Sequence, residues 1–455
     1  MPQALDGSTI CAISTAPSVG GIAVVRVSGP EALRISSAVF SKTLSAENDR
    51  SVVFGRIVDG DTIIDEGLAL VLYGPGSYTG EDTVEFNVHG SRFIQSEVVR
   101  LLILSGCRLA GPGEFTQRAF LNGKLDLTQA EAVADLIAAE HSGAHRLAVE
   151  QLRGNFSREV GELRESLIEF AGLLELELDF SEEDVEFADR TRFLELIDKL
   201  LERVSSLADS FRSGNAIKSG VPVAILGAPN AGKSTLLNAL VGDERAIVSD
   251  IAGTTRDVIE DTCVIEGTLF RFIDTAGIRE TSDVIENEGI KRAIDKASKA
   301  HTILYMLDAS EENLSSAEAQ ISSLDIPGET DVIAVWNKCD VKSAPTGKIS
   351  NCKASIDISA SSGEGIEKIK SILIESHSVS DSASSLVVTN ARHFEALVNA
   401  RESLESVKIS LEGDTPSDLV AIDVRQTLHH LGSITGAVHA DDILGHIFSH
   451  FCIGK

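Results

Sequence analysis

VPVAILGAPNAGKSTLLNAL, Val221–Leu240, decides the fold of the middle of this chain. An apolar run ends in a glycine-bounded loop, and the loop opens directly into a helical pattern, which is the setting a phosphate-binding P-loop requires. Gly227 and Gly232 let the backbone turn closely round phosphate. Lys233 brings a point charge to β- and γ-phosphates, and Ser234 offers an oxygen to magnesium. Near-continuous apolar runs recur in TLFRFIDTAG, HTILYMLDAS and TDVIAVWNKCD. Such runs suit strands of a parallel sheet covered by helices on both faces.

Three further segments complete a nucleotide site in chain order. Asp274–Gly277 reads DTAG, where Asp274 can hold magnesium through water and Gly277 can turn its N–H toward a γ-phosphate. Asn337–Asp340 reads NKCD and is expected to select the base. The Asp340 carboxylate can accept hydrogen bonds from guanine N1–H and the 2-amino group, neither of which adenine offers. Lys338 is expected to pack along the ring and tie this loop to the P-loop. Ser359–Ala360, nineteen residues beyond Asp340, has the placement of backbone that meets guanine O6.

Between the P-loop helix and DTAG lies Gly253–Asp257, GTTRD, where a switch loop belongs. Thr255 can reach magnesium when GTP is present, and gain or loss of order in this loop would make a physical switch. The residue after DTAG is Ile278, which can neither orient a water nor accept its proton. Arg279, Glu280, Asp283, Glu286 and Glu288 follow, and residue chemistry alone does not choose among these carboxylates. Excess negative charge beside a triphosphate calls for a monovalent cation or for a basic group from a partner.

At 455 residues the chain is expected to hold two to four domains, and 43% hydrophobic residues suffice for real cores. With 69 acidic and 40 basic side chains the net charge is −29. Such a surface repels phosphate backbones, so the chain alone should be a poor general nucleic-acid binder. The six cysteines show no CxxC pair, which implies neither a metal site nor a disulfide framework and fits a reducing compartment. MPQALDGSTI has no signal-peptide character, and no run of 18 or more apolar residues appears. The expected location is the cytoplasm.

The first 120 residues alternate short apolar segments with Gly/Pro/Ser turns, as in TICAIST, GIAVVRVSG, GLALVLYG and DTVEFNVHG. Helices are expected around Glu31–Phe40 and Ser91–Leu104, giving a compact α+β domain over 1–120. From about Leu125 the pattern turns helical. Leu163, Leu167, Phe170 and Leu174 mark one helical face, and Phe193, Ile197, Leu200, Val204 and Leu207 another. FRSGNAIKSG reads as a linker. The helical pattern returns after Val388, so an α/β domain (220–380) is expected to be inserted in a helical domain (121–219 and 381–455) whose two parts pack together.

GGIAVVRVSGP, SYTGEDTVEFNVHG, GPGEFTQRAFLNGKLDLTQAEA, GAPNAGKSTLLNAL, DIAGTTRD, DTAGIRET, NKCD and terminal CIGK span the whole chain in this order. Together they resemble the TrmE-like family of tRNA-modification GTPases. The resemblance implies a multidomain protein: an α+β N-terminal domain that binds folate and dimerises, an α-helical central domain, and an inserted α/β P-loop GTPase domain. It also implies a homodimer working with the flavoenzyme MnmG (GidA), in a heterotetramer or larger complex. FAD enters only through that partner. The family's function is GTP hydrolysis coupled to adding an aminomethyl-type group to C5 of the wobble uridine of certain tRNAs, with tRNA bound mainly through the complex.

Carried onto this sequence, the nucleotide-lining positions are Asn230, Ala231, Gly232, Lys233, Ser234 and Thr235; Ser249, Asp250, Ile251, Ala252, Gly253, Thr254 and Thr255; Asp274, Thr275, Ala276 and Gly277; and Asn337, Lys338, Asp340, Ser359 and Ala360. Magnesium falls to Ser234 and Thr255. By resemblance Asn230, Ser249, Ile251 and Thr254 hold a potassium ion, and Glu286 orients water when two G domains meet face to face. Arg26, Glu85 and Lys124 resemble contacts to a tetrahydrofolate one-carbon derivative, with Lys455 a further candidate. Cys452 occupies the family's terminal cysteine. Two other readings stay open at this point: a regulatory or assembly GTPase with an N-terminal interaction module, and a folate-dependent transferase that uses GTP only structurally.

Overall fold

A computed structural model describes residues 7–16, 18–179, 190–242, 261–273, 300–323, 326, 330–377, 386–413, 415–438, 444, 447–448 and 451–454. In chain order its elements begin with β1 (Ile10–Ile13), β2 (Gly20–Ser28), α1 (Ala32–Ala38), β3 (Ser51–Asp59), β4 (Thr62–Leu72), β5 (Thr83–Gly90), α2 (Arg92–Leu104), β6 (Arg108–Leu109) and α3 (Glu114–Leu121). Helices follow: α4 (Leu127–Ala138), α5 (Ser142–Leu152), α6 (Asn155–Asp179), α7 (Arg190–Asp209) and α8 (Phe211–Ser219). Then come β7 (Val221–Gly227), α9 (Lys233–Val241), β8 (Asp261–Ile265), β9 (Thr268–Phe272), β10 (Thr302–Asp308), α10 (Leu314–Ser322), β11 (Asp331–Asn337), β12 (Ala354–Asp357) and α11 (Ile366–His377). Two long helices, α12 (Ala391–Glu412) and α13 (Ser417–Thr435), come next. Among the described residues no helix is long and apolar enough to cross a membrane.

The chain divides into two compact units, one of Met1–Ile137, Val149–Glu202 and Ala396–Lys455, the other of Ala138–Ala148 and Arg203–Glu395. In the first, one sheet runs β3-β4-β5-β2-β1-β6, antiparallel except where β1 meets β6. Because successive strand residues face opposite sides, Val25 and Val27 of β2 and Val84 and Phe86 of β5 point into a core closed by Ile35, Val98 and Leu102 of the helices. Their neighbours Arg26 and Glu85 face the other way. That second face carries a smaller apolar cluster of Ile10, Ala12, Ala110 and Phe115, with Tyr78 packed against it. β3 went unread in the sequence because it is an edge strand whose Val52 and Phe54 stay exposed opposite the buried Ile57, so its apolar residues occupy both faces and show no alternation.

The two helical faces expected from periodicity are buried, with Leu163, Leu167, Phe170 and Leu174 at no more than 1% exposure on α6. Phe170 meets Phe193 of α7 edge-on at 4.6 Å. The helical parts from either side of the insertion do pack together. Arg425 of α13 pairs with Glu175 of α6 at 3.1 Å, and Lys408 of α12 with Asp198 of α7 at 2.7 Å.

In the second unit a sheet runs β12-β11-β10-β7-β9-β8, parallel but for the β8–β9 hairpin. Val223, Ile225 and Ile333 face Leu236, Leu240, Ile369 and Leu373 of α9 and α11. Ala224, Leu226, Tyr305 and Trp336 face Ala317 and Ile321 of α10 on the opposite side. Burial on both faces is why these strands read as unbroken apolar runs.

FRSGNAIKSG is not a linker but helix α8. Its small residues serve packing: a Cβ on Gly214 would come within 2.1 Å of the Val388 carbonyl oxygen. The Ser210 hydroxyl accepts the Val388 N–H at 3.0 Å, and the Phe211 and Phe394 rings stack at 4.6 Å. The chain leading into the α/β domain is thereby stitched to the chain leaving it.

Candidate functional site

At the end of β7 the chain turns sharply and starts α9 at Lys233. Gly227 has φ +140°, and a Cβ there would meet the Met306 carbonyl oxygen at 2.3 Å, so the loop is pressed against β10. Gly232 has φ +100°, and its Cβ would fall 2.1 Å from Asn337 Nδ2. Only glycine satisfies both demands. Asn230 is exposed with φ +65°, a conformation that asparagine tolerates better than most residues. Lys233 Nζ donates to the Gly227 and Ala228 carbonyls at 2.9 and 2.7 Å, which holds the ammonium over the loop. Ser234 and Thr235 are exposed at the start of α9, where the first N–H groups and the helix dipole favour an anion. A loop packed too closely against Met306 and Asn337 to admit a Cβ, with a lysine ammonium held on it and a hydroxyl beside it, fits a nucleotide phosphate with its magnesium.

The buried Asn337 joins this loop to the Ser359–Ala360 turn. Its Nδ2 donates to the Ala231 carbonyl at 2.8 Å, and its Oδ1 accepts the Ala360 N–H at 2.9 Å. Ser359 and Ala360 are buried in the turn, while Asp340 is exposed and open to a base. The tie to the P-loop expected of Lys338 is thus made by Asn337. Lys338, at φ +64°, instead forms an ion pair with Asp308 at the end of β10, which the sequence reading did not single out.

Burial works to raise the Asp308 pKa, but hydrogen bonds from Lys338 and from the Ser310 hydroxyl and N–H outweigh it and hold the carboxyl below its ordinary range. A depressed carboxylate stabilises the fold above its unfolded pKa of about 3.9, and that contribution is lost as pH falls through the folded value. Asp308→Asn is therefore expected to destabilise this unit by about 1–3 kcal/mol at pH 7. The gap in urea midpoint between variant and wild type should hold down to about pH 4.5 and shrink only below it. A gap that fades between pH 7 and about 5 would contradict the assignment to Asp308.

Ser249, Asp250, Ile251, Ala252, Gly253, Thr254, Thr255, Asp274, Thr275, Ala276, Gly277 and Glu286 lie outside the described residues, as does Lys455. Of the four proposed potassium ligands, Asn230 is the one described.

A second cluster forms on the far face of the first unit's sheet. Arg26 and Glu85 are direct cross-strand partners of β2 and β5, and Arg26 Nε donates to Glu85 Oε1 at 2.8 Å. The Arg26 guanidinium carbon lies 5.4 Å from the ring centres of both Tyr78 and Phe115. Lys124 Nζ donates to the Pro75 carbonyl at 2.9 Å, on the same Gly74–Asp82 loop that carries Tyr78. That loop is pinned from beneath. Arg118, 2% exposed, reaches Glu81 at 3.0 Å and Glu114 at 2.9 Å, Arg108 donates to both Glu114 oxygens, and Asn122 donates to the Thr79 carbonyl at 2.7 Å. Burial works to raise the Glu114 pKa, yet Arg108, the Gly111 N–H and Arg118 keep it ionised by pulling it below its usual value.

The chain's last described residues reach this same face. Ile10, Ala12 and Ser14 alternate onto it, with Ala12 the register partner of Arg26. Ser14 Oγ donates to the Gly454 carbonyl at 2.9 Å, and the Gly113 N–H to the Cys452 carbonyl at 3.3 Å. The structure thus brings Arg26 and Glu85 into direct contact, places Lys124 on the adjoining loop, and lays the residues preceding Lys455 along the same sheet face. Tyr78, Phe115 and the Arg118 network were not singled out in the sequence, although they fall within SYTGED and GPGEFTQRAF.

Residues 127–452 match the family described as MnmE helical domain, and residues 9–124 the family described as GTP-binding protein TrmE N-terminus. The tRNA modification GTPase MnmE of Parabacteroides distasonis is 51% identical over 464 residues, covering 98% of this chain and 100% of that protein. The corresponding protein of Flavobacterium johnsoniae is 48% identical over 465 residues, covering 99% and 100%. That of Bacteroides thetaiotaomicron is 48% identical over 468 residues, with the same coverage.

Proposed function

The chain belongs to the MnmE family of tRNA modification GTPases, and on that footing we propose that it is a potassium-stimulated GTPase working with the flavoenzyme MnmG to add an aminomethyl-type group, such as carboxymethylaminomethyl, to C5 of wobble uridine in certain tRNAs. The observation that carries the nucleotide half is the Asn337 bridge between Ala231 and Ala360, which sets the phosphate loop and the base-reading turn in one frame. Within that frame Lys233 and Ser234 hold the phosphates and magnesium, and Asp340 reads the guanine edge. Glu286 orients the attacking water once two G domains approach. When bound, magnesium and potassium supply positive charge against the β- and γ-phosphates, and a tetrahydrofolate derivative carries the one-carbon unit. Arg26, Glu85, Lys124 and Lys455 hold that folate in an N-terminal domain that also dimerises. The net charge of −29 fits tRNA being held mainly by the complex rather than by this chain alone. The cytoplasm is the proposed location.

The reading is tested with the purified protein, MnmG and undermodified tRNA in potassium buffer. Omitting GTP, or omitting the folate, is expected to lower modified wobble uridine at least about tenfold, since each supplies a step that cannot be bypassed. Full modification without GTP turnover would leave a transferase that uses GTP only structurally. GTP turnover with no dependence of modification on folate would leave a regulatory GTPase.

A further inference from the structure

The two described cations of the N-terminal site, Arg26 and Lys124, are unequal. Arg26 is already offset by Glu85, both side chains are under a fifth exposed, and the guanidinium lies near two aromatic rings. A carboxylate arriving there would meet the charge of Glu85 as well. The pair instead presents donors beside acceptors, which suits the edge of a neutral heterocycle. Lys124 is exposed and bonded to a neutral carbonyl, that of Pro75. Among the described residues no carboxylate pairs with it.

Arg50 stands at the next residue of the same loop. A Cβ on Gly76 would come within 3.1 Å of its terminal nitrogen. Arg50 holds φ +54°, left-handed for a residue with a side chain, and its N–H is fixed to the Val71 carbonyl at 2.8 Å. Its sole carboxylate neighbour among the described residues is Asp49 at 3.9 Å, and Asp49 already accepts the Tyr73 N–H at 2.8 Å. The loop's own acids are engaged: Asp82 accepts the Gly74 N–H at 3.0 Å, and Glu81 pairs with Arg118 at 3.0 Å. The Pro75–Gly76 peptide therefore has two cations beside it, within roughly 10 Å of one another by bond geometry.

We infer that Arg50 and Lys124 form an anion seat at Pro75–Gly76 that takes the carboxylates of an oligo-γ-glutamate tail, while Arg26 and Glu85 take the ring end of the same folate. This rests on the folate reading above. It assigns a ligand role to Arg50 and a direction to the bound molecule.

Equilibrium binding of 5-formyltetrahydrofolate as monoglutamate and as triglutamate to the full-length protein tests it. Each exposed ion pair contributes about 1.5- to 5-fold, so the triglutamate should bind about 3- to 10-fold more tightly at low salt. Arg50→Gln, or 0.5 M salt, should bring the ratio toward one, and Arg50→Lys should keep most of it. A ratio unchanged in Arg50→Gln, or near one in the wild type while the monoglutamate binds, overturns the seat and leaves the folate reading standing. If neither form binds the wild type, the folate reading falls and the seat with it.

Discussion

Gly232→Ala is expected to cost the protein its nucleotide: GTP affinity should fall about 10²- to 10⁴-fold, read by equilibrium titration with a fluorescent GTP analogue. The backbone at Gly232 has φ +100°, where a side chain costs about 1–3 kcal/mol. The added methyl would also fall 2.1 Å from Asn337 Nδ2. Asn337 must then leave Ala231 or Ala360, and an orphaned buried amide costs about another 1–3 kcal/mol. Because the penalty centres on the loop, the first unit of the fold should melt as before. Affinity within threefold of wild type would show that the loop can adopt another path and that the Asn337 frame is dispensable.

Glu286→Gln is expected to leave GTP binding intact and slow hydrolysis in potassium by about 10²- to 10⁴-fold, the usual weight of a positioned proton acceptor. The reasoning begins at Ile278, which leaves the position after DTAG without chemistry. A carboxylate supplied from further along the chain must approach a triphosphate, and it can do so only where cations offset the repulsion. Replacing potassium by sodium should therefore also suppress wild-type turnover, by a smaller factor of about ten or more. Wild-type rates in the variant would remove Glu286 from its role, and equal rates in both salts would remove the potassium ion.

The α/β unit was legible because its chemistry is local. VPVAILG became β7 residue for residue, and the apolar runs before DTAG and NKCD became β9 and β11. What escaped reading was set by distant partners. Nothing local marks Asp308 as the mate of Lys338, thirty residues on, and the helix α8 was hidden by a glycine whose reason is the Val388 carbonyl. Arg26 and Glu85 were named by resemblance, but only the β2–β5 register shows them to be cross-strand neighbours. Arg118 reads as an ordinary surface residue of a helix until Glu81 and Glu114 close round it.

The bond from Ser14 to Gly454 joins residues 440 positions apart. A ribosome adding about 5–20 residues per second needs roughly 20 to 90 seconds to travel that far. The sheet of the first unit can assemble early from its own strands and helices. Its second face must wait, because the strip of chain that meets Ser14 and Gly113 is made long after them. A chain lacking residues 451–454 thus keeps every residue of the second unit yet loses the partners of Ser14 and Gly113, so the first unit leans on residues far along the chain in a way the second does not.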